Sequence, residues 1–256
     1  MRPVFFLTAL LAASSGCLSS VAAAQDAPGL GAREIVERAH AAAGGDAWLH
    51  AGSNIMRGHA TLCREGRPEA CVTADRYEMY RVYPTELAKA HAGSGKFRLD
   101  AFVGDHVLFQ TAFDGERSYD QNGVVPGPRA QSDEGSGFGF SAIRFALEEG
   151  FRLERLTDDQ VEGRPCFFVR VTDPSGQTTL FGIDHEDYSI RSAAWQSPRG
   201  WHQRLYSEFY RVGGESGFLQ PGRVRHYYDG VKSVDIRWTS AELGTKIPDE
   251  VFVLGR

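Results

Sequence analysis

The sequence predicts a mainly β protein in which a curled antiparallel sheet forms a half-open barrel with a helical lid. Segments rich in apolar and β-branched residues recur at a spacing of about 10–12 residues, and turn residues separate them. Two other segments show helical periodicity instead. A sheet of about ten strands must curl, and helices must cover one of its faces or mouths. We therefore expect an apolar hollow in which a ligand could bind.

Two helical elements are predicted. The first covers residues 33–50 as one or two pieces, and Gly44 and Gly45 interrupt it. Its apolar residues recur at helical spacing: Ile35, Val36, Ala39, Ala42 and Ala43. The second covers residues 141–149 and is amphipathic, with Ile143 and Leu147 on one face. The segment before it, residues 126–139, is rich in Gly, Pro and Ser and predicts a mobile loop.

The strands of the first half are predicted from alternation and from turn residues between them. Lys96 to Asp100 alternate cleanly between polar and apolar, which indicates one buried and one wet face. Asp114-Gly115 and Asn122-Gly123 are turn signals. The predicted strands are 55–63, 71–82, 86–92, 96–100, 107–113 and 117–120, of which 86–92 is the weakest.

The second half is predicted to be β as well. Asp173 to Gly176, Ser197 to Gly200 and Asp229-Gly230 are its clearest turns. The predicted strands are 166–172, 178–183, 189–196, 203–212, 223–228 and 233–242.

The N-terminus predicts export. Arg2 precedes an apolar run over residues 4–13 that is too short to span a bilayer. Ala22-Ala23-Ala24 matches a secretory cleavage site, so we expect a signal peptide over 1–24 and a periplasmic mature chain. A linker over 25–32 and a single domain over 33–256 would follow. The alternative is an outer-membrane lipoprotein that is lipidated at Cys17.

The remaining cysteines have different predicted roles. Cys63 and Cys71 flank a polar segment that contains Gly66 and Pro68, and two strands joined there would bring them together. In an oxidising compartment we expect a disulfide. Cys166 stands beside two phenylalanines and is interpreted as a small buried apolar residue.

The net charge and the distribution of basic residues argue against nucleic acid as a partner. The formal net charge is -5, and no clustered basic surface is evident. Lys and Arg are scattered among Asp and Glu, a pattern typical of a solvated surface.

No catalytic or metal-binding constellation is evident, so neither an enzyme nor a cofactor is predicted. Residues 184–187, Asp-His-Glu-Asp, could supply metal ligands, but consecutive residues rarely converge on one ion, and a polar turn is the favoured interpretation. His202 and His226 lack a recognisable nucleophile and orienting acid. The sequence contains none of the short hydrolase, metalloprotease or phosphate-loop motifs.

The order of features over residues 33–254 resembles the LolA/LolB-like superfamily of lipoprotein carriers and sorting proteins. The resemblance depends on Ala43-Gly44-Gly45 after the first helix, Phe113-Asp114-Gly115 before Tyr119, the strand at 163–171, and the closing residues 247–252. It implies a half-barrel with a helical lid and a cavity that takes acyl chains. It supplies no catalytic motif.

Aromatic residues are the candidate ligand contacts. Each could simply fill the core, but a partly open barrel cannot bury every inward side chain, so some should line a cavity. The candidates are Phe97, Leu99, Phe109, Phe113, Trp195, Phe209, Tyr228 and Trp238. The predicted function is a carrier or sensor for an apolar ligand such as a lipid or acyl chain, with a membrane or envelope protein as a further partner. The alternatives are a scaffold that uses the half-barrel as a docking surface and, less favoured, an envelope enzyme.

Overall fold

The computed structural model describes residues 29–64, 67–83, 95–126, 141–214 and 217–255. The predicted signal peptide with its cleavage site, Cys17, the first half of the linker, the weak strand at 86–92 and nearly all of the loop at 126–139 lie outside these residues.

Short helices accompany the sheet. Helix α1 spans Ala32–Ala43, α2 spans Asp46–Leu49 and α3 spans Ser141–Arg144; 3-10 turns occur at Pro68–Ala70 and Asp249–Phe252. None of the helices in the described ranges is long and apolar enough to cross a membrane.

The second helix is shorter than the predicted 141–149. After α3, backbone hydrogen bonds run from Ala146 to Ile143 and from Glu148 to Phe145, which is a succession of tight turns. Four consecutive residues, 143–146, are buried. The segment therefore packs on several sides, and the one-sided apolar stripe that favours an amphipathic helix does not continue.

Fourteen antiparallel strands form one sheet in the described residues. In chain order they are β1 Ser53–Cys63, β2 Cys71–Val82, β3 Lys96–Val103, β4 His106–Phe113, β5 Ser118–Asp120, β6 Gly123–Val124, β7 Arg152–Arg155, β8 Asp159–Val161, β9 Arg164–Thr172, β10 Thr178–Asp184, β11 Ile190–Ser197, β12 Gly200–Val212, β13 Phe218–Tyr228 and β14 Val231–Leu243.

The sheet curls but does not close. Its order is β6-β5-β4-β3-β2-β1-β14-β13-β12-β11-β10-β9-β7, and β8 pairs only with β9. The first and last strands of the order are not paired with each other, so the predicted half-open barrel is confirmed. Strands β7 and β8 were not predicted, because one is a charged edge strand and the other has only three residues.

Strand β13 begins at Phe218, earlier than predicted, and carries Pro221 inside it. Pro221 lies opposite Phe209 of β12, whereas the pairing with β14 starts only at Arg223. A proline cannot donate a hydrogen bond to a second neighbour. The start of β13 is therefore free of β14, and Phe218 to Pro221 can line the hollow of the sheet.

Helix α1 closes one side of the sheet through an apolar face. Ile35, Val36 and Ala39 are completely buried in the main core. The helix ends at Gly44, whose φ of 129° places it where other residues are strained. A Cβ on Gly44 would meet Cα of Phe218 at 2.7 Å. Glycine thus allows the helix end to approach β13 closely.

Candidate ligand cavity

The concave face of the sheet encloses a cavity of about 1000 Å³. This volume is at the upper end of the range for small-molecule sites. Its walls come from strands β1–β4 and β12–β14, with α2 and α3 contributing Trp48 and Arg144.

Small residues of β1 are paired with residues that line the cavity. Ala60 lies between Ala74 of β2 and Ile236 of β14, and Gly58 lies between Tyr77 and Trp238. Register shifts on both sides of this part of β1 mark an irregularity. A Cβ on Gly58 would meet the carbonyl oxygen of Arg237 at 1.9 Å, so this position requires glycine.

The strand register defines two ends of the cavity. At the open end, the β1–β2, β3–β4, β11–β12 and β13–β14 turns come together. Leu62, Val72, Leu108 and Arg199 line the cavity there, and Val72 and Leu108 are exposed. At the helical end, the lining residues Trp48, Arg81 and Arg144 are 2%, 5% and 4% exposed.

Four of the eight predicted ligand contacts line the cavity: Leu99, Phe109, Tyr228 and Trp238. The ring of Tyr77, which the sequence analysis did not single out, lies between two of them, 5.5 Å from Trp238 and 6.4 Å from Phe109. Alternation along β2 could have indicated Tyr77, since it shares a face with Met79.

The other four predicted contacts lie outside the lining of this cavity. Phe97 is 1% exposed, and its ring lies 6.3 Å from that of Phe113. Trp195 is buried beneath His202 at a ring distance of 4.4 Å. Phe209 packs against the core near Arg191, whose guanidinium lies 4.9 Å from its ring centre. These four aromatic side chains therefore contact other side chains of the protein and do not line this cavity.

The interpretation of the Lys and Arg residues as a solvated surface is wrong for three arginines. Arg81, Arg144 and Arg204 all line the cavity and are less than one-tenth exposed. Arg81 and Arg204 point inward because they share the inner face of their strands with Met79 and Tyr206. Scattered charges along a sequence do not reveal such convergence.

Aromatic rings surround these buried guanidinium groups. The guanidinium carbon of Arg144 lies 4.1 Å from the ring centre of Tyr83 and 4.6 Å from that of Trp48. That of Arg81 lies 4.7 Å from the Tyr83 ring, and that of Arg204 lies 5.2 Å from the Trp195 ring. Cation–π contacts partly replace the lost hydration.

Burial and mutual repulsion perturb the titration of this cluster. Burial, with the charges of Arg144 and Arg204, lowers the pKa of Arg81 to about 10. Burial also lowers the pKa of Arg144 and that of Arg204. Burial alone would raise the pKa of Tyr83, but the adjacent charges of Arg81 and Arg144 lower it. The arginines remain positively charged at neutral pH.

Two histidines in the cavity wall are neutral at physiological pH. Burial, with the charges of Arg204 and Arg199, lowers the pKa of His202 to about 2. The same causes and His202 itself lower the pKa of His226 well below its usual value. His202 stacks on Tyr228 at a ring distance of 4.4 Å. These residues are part of an aromatic wall.

The remaining sequence candidates lie away from the cavity centre. Cys63 and Cys71 form a disulfide at the open end, and Cys166 is completely buried, which raises its pKa to about 11. Burial favours a raised pKa for Asp184, but hydrogen bonds from Arg164 and the Glu186 backbone, and the nearby charge of Arg191, lower it to about 2.

Residues 184–187 therefore form a polar turn whose first carboxylate is held by arginines. Within the described ranges, no group of three His, Cys, Asp or Glu residues is placed to hold a metal ion.

Comparison with solved structures supports the fold. A LolA superfamily protein from Nitrosomonas europaea is similar with a TM-score of 0.53 and 12% identity, over 88% of this chain and 98% of that one. A DUF1329 family protein from Desulfovibrio piger is similar with a TM-score of 0.52 and 10% identity. The match covers 86% of this chain and 96% of that one.

No family model matches the sequence, and no curated protein matches it either. The resemblance to the LolA/LolB-like superfamily is thus confirmed at the level of the fold. At these identities the likeness establishes the architecture, and the function must be argued from the site.

Proposed function

We propose that this protein is an exported carrier or sensor of the cell envelope that binds an apolar ligand, such as a lipid or acyl chain, in the cavity of its half-barrel. The cavity of about 1000 Å³ on the concave face carries this proposal. Its middle is lined by apolar side chains, including Met56, Met79, Leu99, Ile236 and Trp238. Burial of a hydrocarbon chain there supplies about 25 cal/mol per Å² of apolar surface before the costs of binding.

The proposal includes the periplasm as the compartment. The N-terminal signal predicted from the sequence supports export, and a disulfide between Cys63 and Cys71 is compatible with an oxidising compartment. Binding without catalysis is favoured, because burial lowers the pKa of His202 and that of His226, so both imidazoles are weak bases in the cavity wall.

The first test is native mass spectrometry of the mature protein, purified from the periplasm without detergent. We expect a bound lipid or acyl species. The matched variants are Phe109→Glu, which places a carboxylate in the cavity wall, and Val107→Glu on the same strand, whose side chain is exposed and outside the lining. The first should lose the ligand because burying a charge is costly, and the second should keep it. A ligand-free wild type that takes up no lipid when lipids are offered would contradict the proposal.

A second candidate function is favoured by one observation. Several exposed apolar residues belong to strand ends and turns at the open end: Val72, Val103, Val107, Leu108, Trp201 and Val231. Such residues are typical of a surface that contacts a membrane or another protein. In the docking-surface alternative, the half-barrel binds a partner there and carries no ligand. A periplasmic pull-down that depends on Trp201 and Val231, together with a ligand-free cavity, would favour this alternative.

A further inference from the structure

The exposed apolar side chains are concentrated at one end of the molecule. Of the seven large apolar residues that are exposed in the described part of the chain, six lie in or beside the turns at the open end of the cavity. We call these six the apolar rim: Val72, Val103, Val107, Leu108, Trp201 and Val231. The seventh, Val124, belongs to β6. Such a concentration is typical of a surface that contacts another molecule or a lipid phase.

The apolar rim belongs to four hairpins that follow one another in the sheet. The sheet order places β4-β3, β2-β1, β14-β13 and β12-β11 side by side. The two strands of each hairpin are antiparallel neighbours, so all four turns lie at the same end of the sheet. The exposed apolar residues therefore form a row along the mouth of the half-barrel and not a patch on one face.

The strand register brings this row to about one height. Paired positions place Val231 of β14 slightly below Trp201 of β12. Val72 of β2 is lower, and Val107 of β4 is lower again, so that the descent is about one residue per strand. A strand tilt of about 40° shifts neighbouring strands by about 4 Å, or about one residue, at constant height along the barrel axis. The descent matches this shift, so the apolar rim forms a nearly flat front across the mouth.

The apolar rim is continuous with the cavity. Val72 and Leu108 line the cavity and are also exposed to solvent. Trp201 and Val231 lie outside the lining and are 41% and 49% exposed. A hydrocarbon chain that leaves the cavity at this end therefore passes over apolar side chains. Release into water would be disfavoured about fourfold for each methylene group that becomes exposed, so a direct route to another apolar phase has a large kinetic advantage.

We propose that the apolar rim contacts the surface of a lipid bilayer, so that the ligand passes between the bilayer and the cavity without crossing water. A flat front of short apolar side chains with one indole suits the membrane interface, where tryptophan is enriched. A protein that covered the whole row would close the mouth, whereas a fluid bilayer can contact every turn and still exchange hydrocarbon with the cavity. This inference depends on the proposed function and specifies its partner.

The test measures how a bound probe leaves the protein. The mature protein is loaded with anthroyloxy-labelled stearate and mixed with vesicles of phosphatidylethanolamine and phosphatidylglycerol that contain a quencher of the label. We expect the transfer rate to rise in proportion to the vesicle concentration, because collision with the bilayer precedes release. High salt should change the rate less than about twofold, since the formal net charge of -5 supplies no general attraction to anionic lipid. A rate independent of vesicle concentration would show release into water and overturn the proposal.

Variants identify the surface. The double variant Trp201→Ser/Val231→Ser should slow transfer at least about tenfold, since the loss of one large apolar contact already corresponds to about that factor. Its affinity for the labelled stearate should stay within about twofold, because neither side chain lines the cavity. Val124→Ser is the matched control, since Val124 is 55% exposed but lies on β6, and it should change neither quantity. If circular dichroism shows that the double variant is poorly folded, Trp201→Ser alone takes its place.

The outcomes separate the two proposals. Tight binding of the labelled stearate with equal transfer rates in the wild type and the double variant would overturn the membrane contact and leave the apolar cavity intact. Failure of the wild type to bind the labelled stearate would overturn both proposals. A wild type that ignores the vesicles, but forms a dimer or a complex with an envelope protein through Trp201, would assign the apolar rim to that protein and exclude the bilayer.

Discussion

Arg81 and Arg144 share the ring of Tyr83: their guanidinium carbons lie 4.7 Å and 4.1 Å from its centre. Arg81 belongs to the end of β2 and Arg144 to the end of α3, so this ring joins the sheet to the helical side of the cavity. Two cations that repel each other are held close together by one aromatic residue, and the charged end of the cavity depends on it.

Replacement of Tyr83 should show how much its ring contributes to the free energy of unfolding. Tyr83→Leu is expected to lower the free energy of unfolding by about 1–2 kcal/mol more than Tyr83→Phe, because only phenylalanine keeps the cation–π contacts. Urea unfolding followed by circular dichroism at neutral pH measures the difference. Equal losses in the two variants would show that the ring face contributes nothing.

The disulfide should stabilise the open end of the half-barrel. Cys63 and Cys71 are separated by 8 positions. For a loop of this length the chain-entropy model gives about 2.5 kcal/mol. The double variant Cys63→Ser/Cys71→Ser should lose that amount in urea unfolding. Reductant should destabilise the wild type similarly and leave the double variant unchanged; a double variant that is still sensitive to reductant would contradict this.

His202 should make stability depend on pH. Its pKa is lowered to about 2 in the folded protein, so between that value and its ordinary pKa near 6.5 the unfolded chain binds the proton and the folded chain does not. Stability therefore falls as pH decreases below about 6.5. Between pH 7 and pH 5, His202→Gln should lose about 2 kcal/mol less than the wild type. Urea midpoints at both pH values test this, and parallel pH curves for the two proteins would refute it.

Asp184 should make stability fall with decreasing pH as well, but in a lower pH window than His202. Its pKa is lowered to about 2 in the folded protein, so its stabilising effect is complete above its ordinary value near 4 and is lost as pH falls toward 2. Asp184→Asn should cost about 2 kcal/mol at pH 7, because hydrogen bonds to a charged acceptor are lost. The cost should shrink at pH 2.5, as thermal unfolding of both proteins can show. A cost independent of pH would mean that the charge of Asp184 is unimportant.

Local chemistry was enough to predict most of the strands. Residues 71–82 were predicted as a strand with the same bounds that β2 has, because alternation and flanking turn residues act over a few positions. Local patterns did not predict β7, because this charged edge strand has no apolar alternation. They also predicted a helix beyond residue 144 that does not form, because that segment packs on several sides.

The sequence by itself determined the class of fold, because the period-two pattern and the turns require a long antiparallel sheet that must curl. Only the tertiary structure decided which inward residues face space and which face protein. Phe97 and Leu99 have the same alternation in β3, yet only Leu99 lines the cavity. Arg81 and Arg204 are 123 positions apart, and no local pattern indicates that both line one cavity of the curled sheet. Strand formation depends on neighbours in sequence, whereas the cavity and its charge depend on neighbours across the curled sheet.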